Sequence, residues 1–482
     1  MSDSRPRPPL KVFNQQEFVR EVFWRFVISI LTAVIATTLG FTVFGGTFVD
    51  LYTMWGPPES KADDVAVLTI GPQALYVWDT TSPDAKVTPR RLLAELIEGL
   101  DELGARTIVV DLMLETQAPG DDALAQAART HGAVIGAEHV AINEPHERRW
   151  YATGLTPQLG LPTLDGQARA IQSAHSSIYF EDPGLVNGQM VARGAPPVLF
   201  FERSQLQGSW PGNVAGLGGS PAVPAAETLG LSLSLASAWL HTKRATDPSA
   251  TLGSLLAEVD RSCSVDAGAL RCTTSVVSGL PDLGTPLHEP FLLRYLGSET
   301  SMNLPVVSAT ELLGARAFTA AMERLGVPAD QMGKASPPQR LQEAIAGRVV
   351  YIGRVTDPET GSPARFATPF GFPLFRKRDM AGVFIHAQLT QAMLNGARVR
   401  LMPGWVAWLS TGLSIALALV AYRRLKPILQ LLGWGVGFGV LGCLGTVLFH
   451  YGGGIVLELG APMSGSAIAL CVLHVRAKFM TS

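Results

Sequence analysis

Apolar residues are distributed along this chain in two distinct ways. Four stretches are apolar almost without interruption, and between the first and second of them lies a segment of roughly 350 residues, Leu51–Arg400, in which apolar positions recur with helix and strand periods. Phe26–Val49, Leu401–Tyr422 and Pro427–Phe449 carry no charged residue. Each is long enough for a crossing helix, which needs about 20 apolar residues. Leu459–Val475 is less uniform, with Glu458 at its start and Gly452, Gly453 and Gly454 before it. The first stretch could also be a secretory signal peptide. It is long for one, follows an extended N-terminal tail and lacks a convincing small-residue cleavage site, so an uncleaved span is expected. The pattern predicts four transmembrane helices, at 26–49, 401–422, 427–449 and 455–475, with an N-terminal tail at 1–25 and a short tail at 476–482.

Within Leu51–Arg400 the periods alternate. Asp64–Ile70 (DVAVLTI) reads as a strand. Leu92, Leu93, Leu96, Ile97, Leu100 and Leu103 recur at helical spacing, with Pro89 fitting a helix start and Gly104 a stop. Ala105–Leu114 (ARTIVVDLML) is the next strand; its core, Thr107–Val110, does not alternate, as expected of a strand covered on both faces. Asp121–His131, stopped by Gly132, reads as a helix and Ala133–Val140 as a strand. Helices are predicted over Glu227–Lys243 and Thr310–Leu325, a strand over Arg348–Gly353 and a helix over Gly382–Asn395 ended by Gly396. In the last helix Ile385, Leu389, Ala392 and Met393 fall on one face. Strand–helix alternation at these spacings gives an α/β fold with a mostly parallel or mixed sheet covered by helices. Tyr151–Ser220 is rich in Gly, Pro, Ser and Gln with short strand-like pieces such as Val198–Phe201. Gly208–Pro224 is a loop by composition: no Gly-Lys-Ser/Thr closes it, and Pro221 and Pro224 interrupt a helix start, so it is not a phosphate cradle.

Charge sets the expected orientation. Arg5, Arg7, Lys11, Arg20 and Arg25 precede the first span, Arg423, Arg424 and Lys426 separate the second from the third, and Arg476 and Lys478 follow the fourth. Positive flanks stay in the cytoplasm, which places both termini inside and Leu51–Arg400 outside, in the periplasm of a bacterial inner-membrane protein; Arg398 and Arg400 run weakly against the rule. The outer segment holds 28 basic and 35 acidic residues, a net charge of −7 within a chain of −2. That mildly acidic balance argues against nucleic acid as a partner. Cys443 and Cys471 fall in spans, where they read as small apolar residues. Cys263 and Cys272 are the pair in the outer segment, where an oxidising compartment permits a disulfide; two free thiols are the other reading. Without nearby histidines they make a poor zinc site.

No catalytic constellation is present. Gly230-Leu-Ser232-Leu-Ser234 lacks the closing glycine of a nucleophile elbow, and His146-Glu147 is followed by Arg148, Arg149 and Trp150 rather than a second histidine at the right spacing. A non-enzyme with no metal and no cofactor is expected. Asp111 ends a buried-type strand, where open α/β sheets bind ligands; it reads as a ligand contact or as a structural acid near a helix N-terminus. Arg90 opens a helix, where a cation is disfavoured. A carboxylate such as Asp111 would explain it, as a binding pair or a structural salt bridge. His386 lies on the helix leading to the second span and is either a proton-responsive group or a hydrogen-bonded core histidine. In the third span Gly433 and Gly437, and Gly435 and Gly439, are spaced for close helix packing, within the bundle or between subunits; ordinary glycine tolerance is the alternative. Glu458 is an interfacial carboxylate or a relay acid.

Several blocks together resemble the CHASE2 family of extracytoplasmic sensor domains. They are GRVVYIGRVTD (Gly347–Asp357), the TP pair Thr368–Pro369, GVFIHAQLTQAML (Gly382–Leu394), PRRLLAELIEGLDELGARTIVVDLML (Pro89–Leu114) and RYLGS (Arg294–Ser298), the last similar to a tyrosine–glycine strand of the family. Arg90, Asp111, Asp122 and Leu124 occupy positions that match, and Asp357 follows a strand as in the family, a candidate ligand contact. The layout of one span, outer domain and three spans is also similar. Gly71 stands where the family's first strand commonly ends in an acid, which removes one group that could help hold a ligand. Members usually carry a cyclase, kinase or phosphodiesterase after the last span, whereas here Arg476–Ser482 follows. The resemblance implies a sensor of a periplasmic cue that signals through its spans to a separate effector chain. The rival reading is a scaffolding subunit that holds an envelope partner and senses nothing.

Overall fold

The computed structural model describes residues 52–53, 63–71, 74, 88–114, 116–142, 150–153, 155–156, 159, 170–181, 191–203, 227–266, 269–299, 301–325, 337–355, 365–368, 379–451, 453–457 and 459–481. Phe26–Val49, Gly208–Pro224, Asp357, Pro369 and Glu458 lie outside the described residues. Two compact units separate, one holding Thr53–Glu181 and Gln189–Arg400, the other the chain from Leu401 onward together with Tyr52.

The first unit is α/β. In chain order its elements are β1 (Val65–Ile70), α1 (Arg90–Glu102), β2 (Thr107–Met113), α2 (Asp121–His131), β3 (Val134–Ile142), β4 (Trp150–Thr153), β5 (Gln172–His175), β6 (Tyr179–Glu181), β7 (Val191–Ala195), β8 (Val198–Arg203), β9 (Glu227–Leu231), α3 (Leu233–Arg244) and α4 (Leu252–Asp260). There follow β10 (Cys263–Asp266), β11 (Ala269–Cys272), β12 (Phe291–Leu292), β13 (Val306–Ser308), α5 (Ala309–Arg324), α6 (Pro337–Ile345), β14 (Val349–Arg354), β15 (Arg365–Ala367), β16 (Asp379–Ala381) and α7 (Gly382–Asn395). The main sheet runs β13-β1-β14-β2-β3-β4-β8-β9, with β5 also on β3. The pairs β13/β1, β1/β14, β14/β2, β2/β3 and β3/β5 are parallel. β3 forks: Ile135–Glu138 pairs with β5, while His139–Ile142 turns to β4 in antiparallel register.

Successive strand residues point to opposite faces, and both faces of this sheet are covered. Ala66, Leu68, Ile70, Ile108, Val110, Val350 and Ile352 join one buried cluster with Leu92 and Leu96 of α1, Leu124 of α2, Leu312 of α5 and Leu341 of α6. Val65, Val67, Val109, Val349 and Tyr351 point the other way, into a cluster with Leu235 and Leu240 of α3 and Phe384 and Leu389 of α7. Double coverage is why the central strands read as continuous apolar runs.

The segment expected to be helical from Glu227 divides. Glu227–Leu231 pairs antiparallel with β8, and the helix starts at Leu233 after Ser232, whose hydroxyl accepts from the Leu235 amide. Leu229 and Leu231 therefore belong to a strand period, and an N-cap serine resets the chain into a helix. Arg294–Ser298 differs too: sheet pairing covers Phe291–Leu292, with Leu293 in an isolated bridge to Arg398, and the following residues are held by side chains instead. The Tyr295 hydroxyl donates to the Ala192 carbonyl (2.8 Å) and the Leu296 amide to Gln388 Oε1 (2.8 Å).

Cys263 and Cys272 face each other in the β10–β11 hairpin and form a disulfide. Closing so short a loop restricts the unfolded chain by about 2–3 kcal/mol. Replacing both cysteines by serine should lower the unfolding free energy by that amount, read from urea melts; unchanged melts under reducing and non-reducing conditions would contradict it.

In the second unit, α8 (Gly404–Arg424), α9 (Pro427–Tyr451) and α10 (Gly460–Thr481) follow one another. Two stretches are long and apolar enough to cross a membrane, Trp405–Tyr422 and Pro427–Tyr451. The apolar part of α10 is shorter, Pro462–Leu473, because His474, Arg476 and Lys478 follow it; the expectation of a fourth full span is reduced to that. The Tyr422 hydroxyl donates to the Leu473 carbonyl and Trp434 Nε1 to Ser466 Oγ, tying α10 to both other helices. Cys443 and Cys471 are free.

Candidate functional site

The carboxyl ends of the parallel strands collect the buried polar residues. β2 is irregular there. It pairs with β3 at Val110↔Gly136 and next at Met113↔Ala137, so Asp111 and Leu112 bulge out of the ladder on that side. Bulges re-aim side chains. On its other side Asp111 stays in register with Gly353 of β14. It lies on the strand face that carries Val109, the face covered by α3 and α7.

Gly353 explains how α7 reaches this edge. A Cβ on it would stand 2.5 Å from Val383 Cβ and Cγ2, so the first turn of α7 rests directly on the β14 backbone. Gly353→Leu should therefore displace that turn. Overpacking of this kind costs about 1–3 kcal/mol or more, and the thermal midpoint should fall accordingly; a midpoint equal to wild type would remove the close approach from the argument.

One turn further along α7, His386 is 2 % exposed. Its ring is hydrogen-bonded to the Ser176 backbone. The Ser176 amide already donates to the Glu138 carbonyl (3.1 Å), so the ring N–H donates to the Ser176 carbonyl. Nδ1 is buried with no hydrogen-bond partner among the described residues. Burial lowers the His386 pKa, and the Asp111 charge opposes that shift. Asp111 is affected in the opposite sense: burial raises its pKa while His386 lowers it. His175, at the end of β5 and fully buried, is pushed down to about 3 by burial, with a smaller contribution from His386. No hydrogen bond or ion pair ties the Asp111 carboxylate to another described residue.

Behind this cluster is a hydroxyl network. Tyr351 of β14 lies 2.6 Å from Thr390 Oγ1 and 2.9 Å from Ser237 Oγ, and these two hydroxyls are 3.0 Å apart. Thr390 also donates to the His386 carbonyl (3.0 Å). Burial pushes the Tyr351 phenol upward, so it stays protonated. On the remaining sides of α7, Gln388 accepts from Leu296, and Gln391 bridges to the Asp64 amide and carboxylate at the start of β1 (3.2 Å each). Val383–Met393 is thus buried all round, not on one face. The polar positions that the period assigns to a solvent face are satisfied by neighbouring elements, as burial requires.

The other expected site residues are elsewhere. Arg90 does not meet Asp111. Its Nε donates to Asp121 Oδ1 (2.9 Å) and its Nη2 to the Thr116 carbonyl (3.0 Å), and Asp121 also accepts from the Ala118 amide. The partner is the acid opening α2, because α1 and α2 pack side by side on the opposite sheet face from His386. Asp357 lies outside the described residues. At Gly433, Gly435, Gly437 and Gly439 a Cβ would meet no described atom within 4 Å, so close packing at these four is not seen among the described residues. The glycine that does pack is Gly445, against the Tyr52 ring. Among the described residues no group of three or more His, Cys, Asp or Glu is arranged to hold a metal.

The α/β unit, its Asp-bearing second strand and its buried C-terminal helix are the parts that carry the family resemblance. The CHASE2 domain family matches residues 27–422. The chain belongs to the CHASE2 family. No curated protein and no solved structure matches it. CHASE2 domains are extracytoplasmic sensor domains, and the two long apolar helices of this member suggest membrane anchoring.

Proposed function

We propose that this CHASE2 protein detects a cue in the periplasm with its α/β domain and passes the resulting state through its membrane helices to an effector protein. The observation that carries the reading is the position of α7. This helix is buried on every side and tied by side-chain hydrogen bonds to β1, β14, α3 and the Leu296 segment. It is also the last helix before the membrane helices. After Gly396 the chain is held once more, by Val399 donating to the Leu292 carbonyl and Arg398 bridging Leu293. Only Arg400–Pro403 then precede α8. A change in how α7 packs has few residues in which to dissipate. Orientation with both termini in the cytoplasm follows the basic flanks, and the spans, including the open glycines of α9, offer the surface for the effector.

A sensor needs two states that its cue and its effector distinguish. The full chain, reconstituted in lipid, should co-purify with its effector to an extent that changes with conditions on the periplasmic side. Stoichiometric co-purification that no periplasmic condition alters would favour the scaffolding alternative and sink the sensor. Arg398→Ala, which removes the guanidinium donor to the Leu283 carbonyl, and Val399→Pro, which removes the amide that donates to the Leu292 carbonyl, should weaken the response without removing the effector complex, because they loosen the connection and not the spans.

A further inference from the structure

We propose that the first apolar stretch of the chain, Phe26–Val49, packs in parallel along one face of α9, the face that carries Gly435, Gly439 and Gly442. The proposal concerns the membrane unit alone and does not depend on the sensing reading.

Tyr52 carries the argument. It follows Val49 by three residues and is 1 % exposed. Its hydroxyl donates to the Leu457 carbonyl (2.8 Å), in the connection between α9 and α10. Its own carbonyl lies 2.7 Å from His450 Nε2. A carbonyl only accepts, so that ring nitrogen donates. The Tyr52 and Phe449 ring centroids are 6.1 Å apart, and a Cβ on Gly445 would overlap the Tyr52 hydroxyl. The residue that ends the N-terminal arm is thus seated on the last turns of α9. A chain reaches at most about 3.6 Å per residue, so three residues span about 11 Å. Packed helices stand about 8–10 Å apart. The outer end of Phe26–Val49 is therefore held within about one helix spacing of the outer end of α9.

Direction and face follow from the same seat. Basic residues precede both stretches, Arg20 and Arg25 in one case and Arg424 and Lys426 in the other, so both enter from the cytoplasmic side and run parallel. At about 100° per residue, Phe449, Gly445, Gly442, Gly439 and Gly435 descend α9 on the Tyr52 side. The neighbouring helix contacts occupy another side: Gln430 Nε2 donates to the Tyr422 and Leu425 carbonyls, and Trp434 Nε1 to Ser466. On the Tyr52 side no described atom comes within 4 Å of a Cβ placed at Gly442, Gly439 or Gly435. Gly433 and Gly437 point the opposite way. The two glycine pairs of the sequence therefore lie on different faces, and only one is below the seat. Membrane helices associate by van der Waals packing where small residues let backbones approach. The tether makes this association intramolecular, so a weak contact suffices to hold it. The face at Gly433 and Gly437 stays open for the effector.

Cysteine cross-linking of the full chain in lipid vesicles tests both the face and the occupant. Cys443→Ser and Cys471→Ser remove the free thiols and leave the Cys263–Cys272 disulfide in place. One new cysteine is Gly439→Cys. The other is placed singly at each position from Phe41 to Thr47, which an equal rise per residue brings level with Gly439. Oxidation should join positions that recur three or four apart. The product should keep the monomer mass and lose both maleimide-reactive thiols. With Gly437→Cys in place of Gly439→Cys the yield should be several-fold lower. Absence of any link to Gly439→Cys, or equal linking to Gly437→Cys, would overturn the proposal. A product of dimer mass would overturn it too, by assigning the face to a second copy. Leu431 is an exposed residue on the same face about two turns lower. Leu431→Cys paired with single cysteines from Ala33 to Leu39 repeats the test if Gly439→Cys fails to fold.

Discussion

Acidifying the protein from pH 6.5 to pH 4 should remove on the order of 5 kcal/mol of stability from the α/β unit, the larger part of what such a domain possesses. Two buried histidines dominate. His175 is lowered to about 3 by burial, and His241 to about 4 by burial and the neighbouring Arg106, against a weaker opposing effect of Asp64. Both folded values lie below the unfolded value of 6.5, so between these pH values the unfolded chain binds protons that the folded chain refuses. Each unit of pH then costs about 1.4 kcal/mol per group. His131 and His386 are lowered as well and add in the same direction. Asp111 works the opposite way, since its raised value lets the folded state take a proton first; it offsets part of the loss. Urea melts of the full chain in detergent at half-unit pH intervals would show the slope. His175→Gln should flatten it by about one proton. Stability that stays level down to pH 4 would refute the assignment of these histidines as buried and neutral.

Replacing Arg90 by alanine should destabilise the protein by about 3–5 kcal/mol, because it leaves Asp121 charged and buried without its partner. Arg90 and Asp121 are 1 % and 2 % exposed, and the guanidinium also serves the Thr116 carbonyl. Burial lowers the Arg90 pKa and Asp121 counters the shift, as expected of a cation kept in place by its acid. Arg90→Met combined with Asp121→Leu should recover most of the loss, since a buried pair exchanged for apolar groups is often neutral. If Arg90→Ala left the melting curve unchanged, the pair would not be structural and Arg90 would return as a candidate ligand contact.

The contrast between these residues shows what the sequence could carry. Strand and helix periods located β1, α1, β2, α2, β14 and α7 within a few residues, because apolar runs bounded by Pro89, Gly104, Gly132 and Gly396 leave few alternatives. Glycine at Gly104, Gly132 and Gly396 takes a left-handed conformation that stops the chain where the pattern stops. The same reasoning failed at Glu227–Leu231, where leucines fit either period and only the partner strand decides. It also gave Arg90 the wrong acid. Asp111 and Asp121 are both near in sequence, and which sheet face each occupies is a tertiary fact. At the candidate site Asp111 and His386 were legible as unusual residues in apolar elements. That both stand at the same end of the sheet was not, since it depends on a bulge after Val110 and on a missing side chain at Gly353. His175 and Ser176 carried no signal, lying in a stretch without a clear period. Gln388, Thr390 and Gln391 gave a misleading one, because buried amides and hydroxyls on a covered helix look like a solvent face until their partners are placed.

The position of β14 has a consequence for how the protein comes into being. It is the strand between β1 and β2, yet Val349 follows Thr107 by more than half the length of the domain. Until β14 emerges during synthesis, β1 and β2 each present an open edge, and no earlier strand takes their common place in the native sheet. Such long-range closure is slow and exposes sticky edges while it waits. A nascent chain halted before Val349 would hold α1 to α6 but lack both its central seam and α7, and should be degraded rather than accumulate as half a domain.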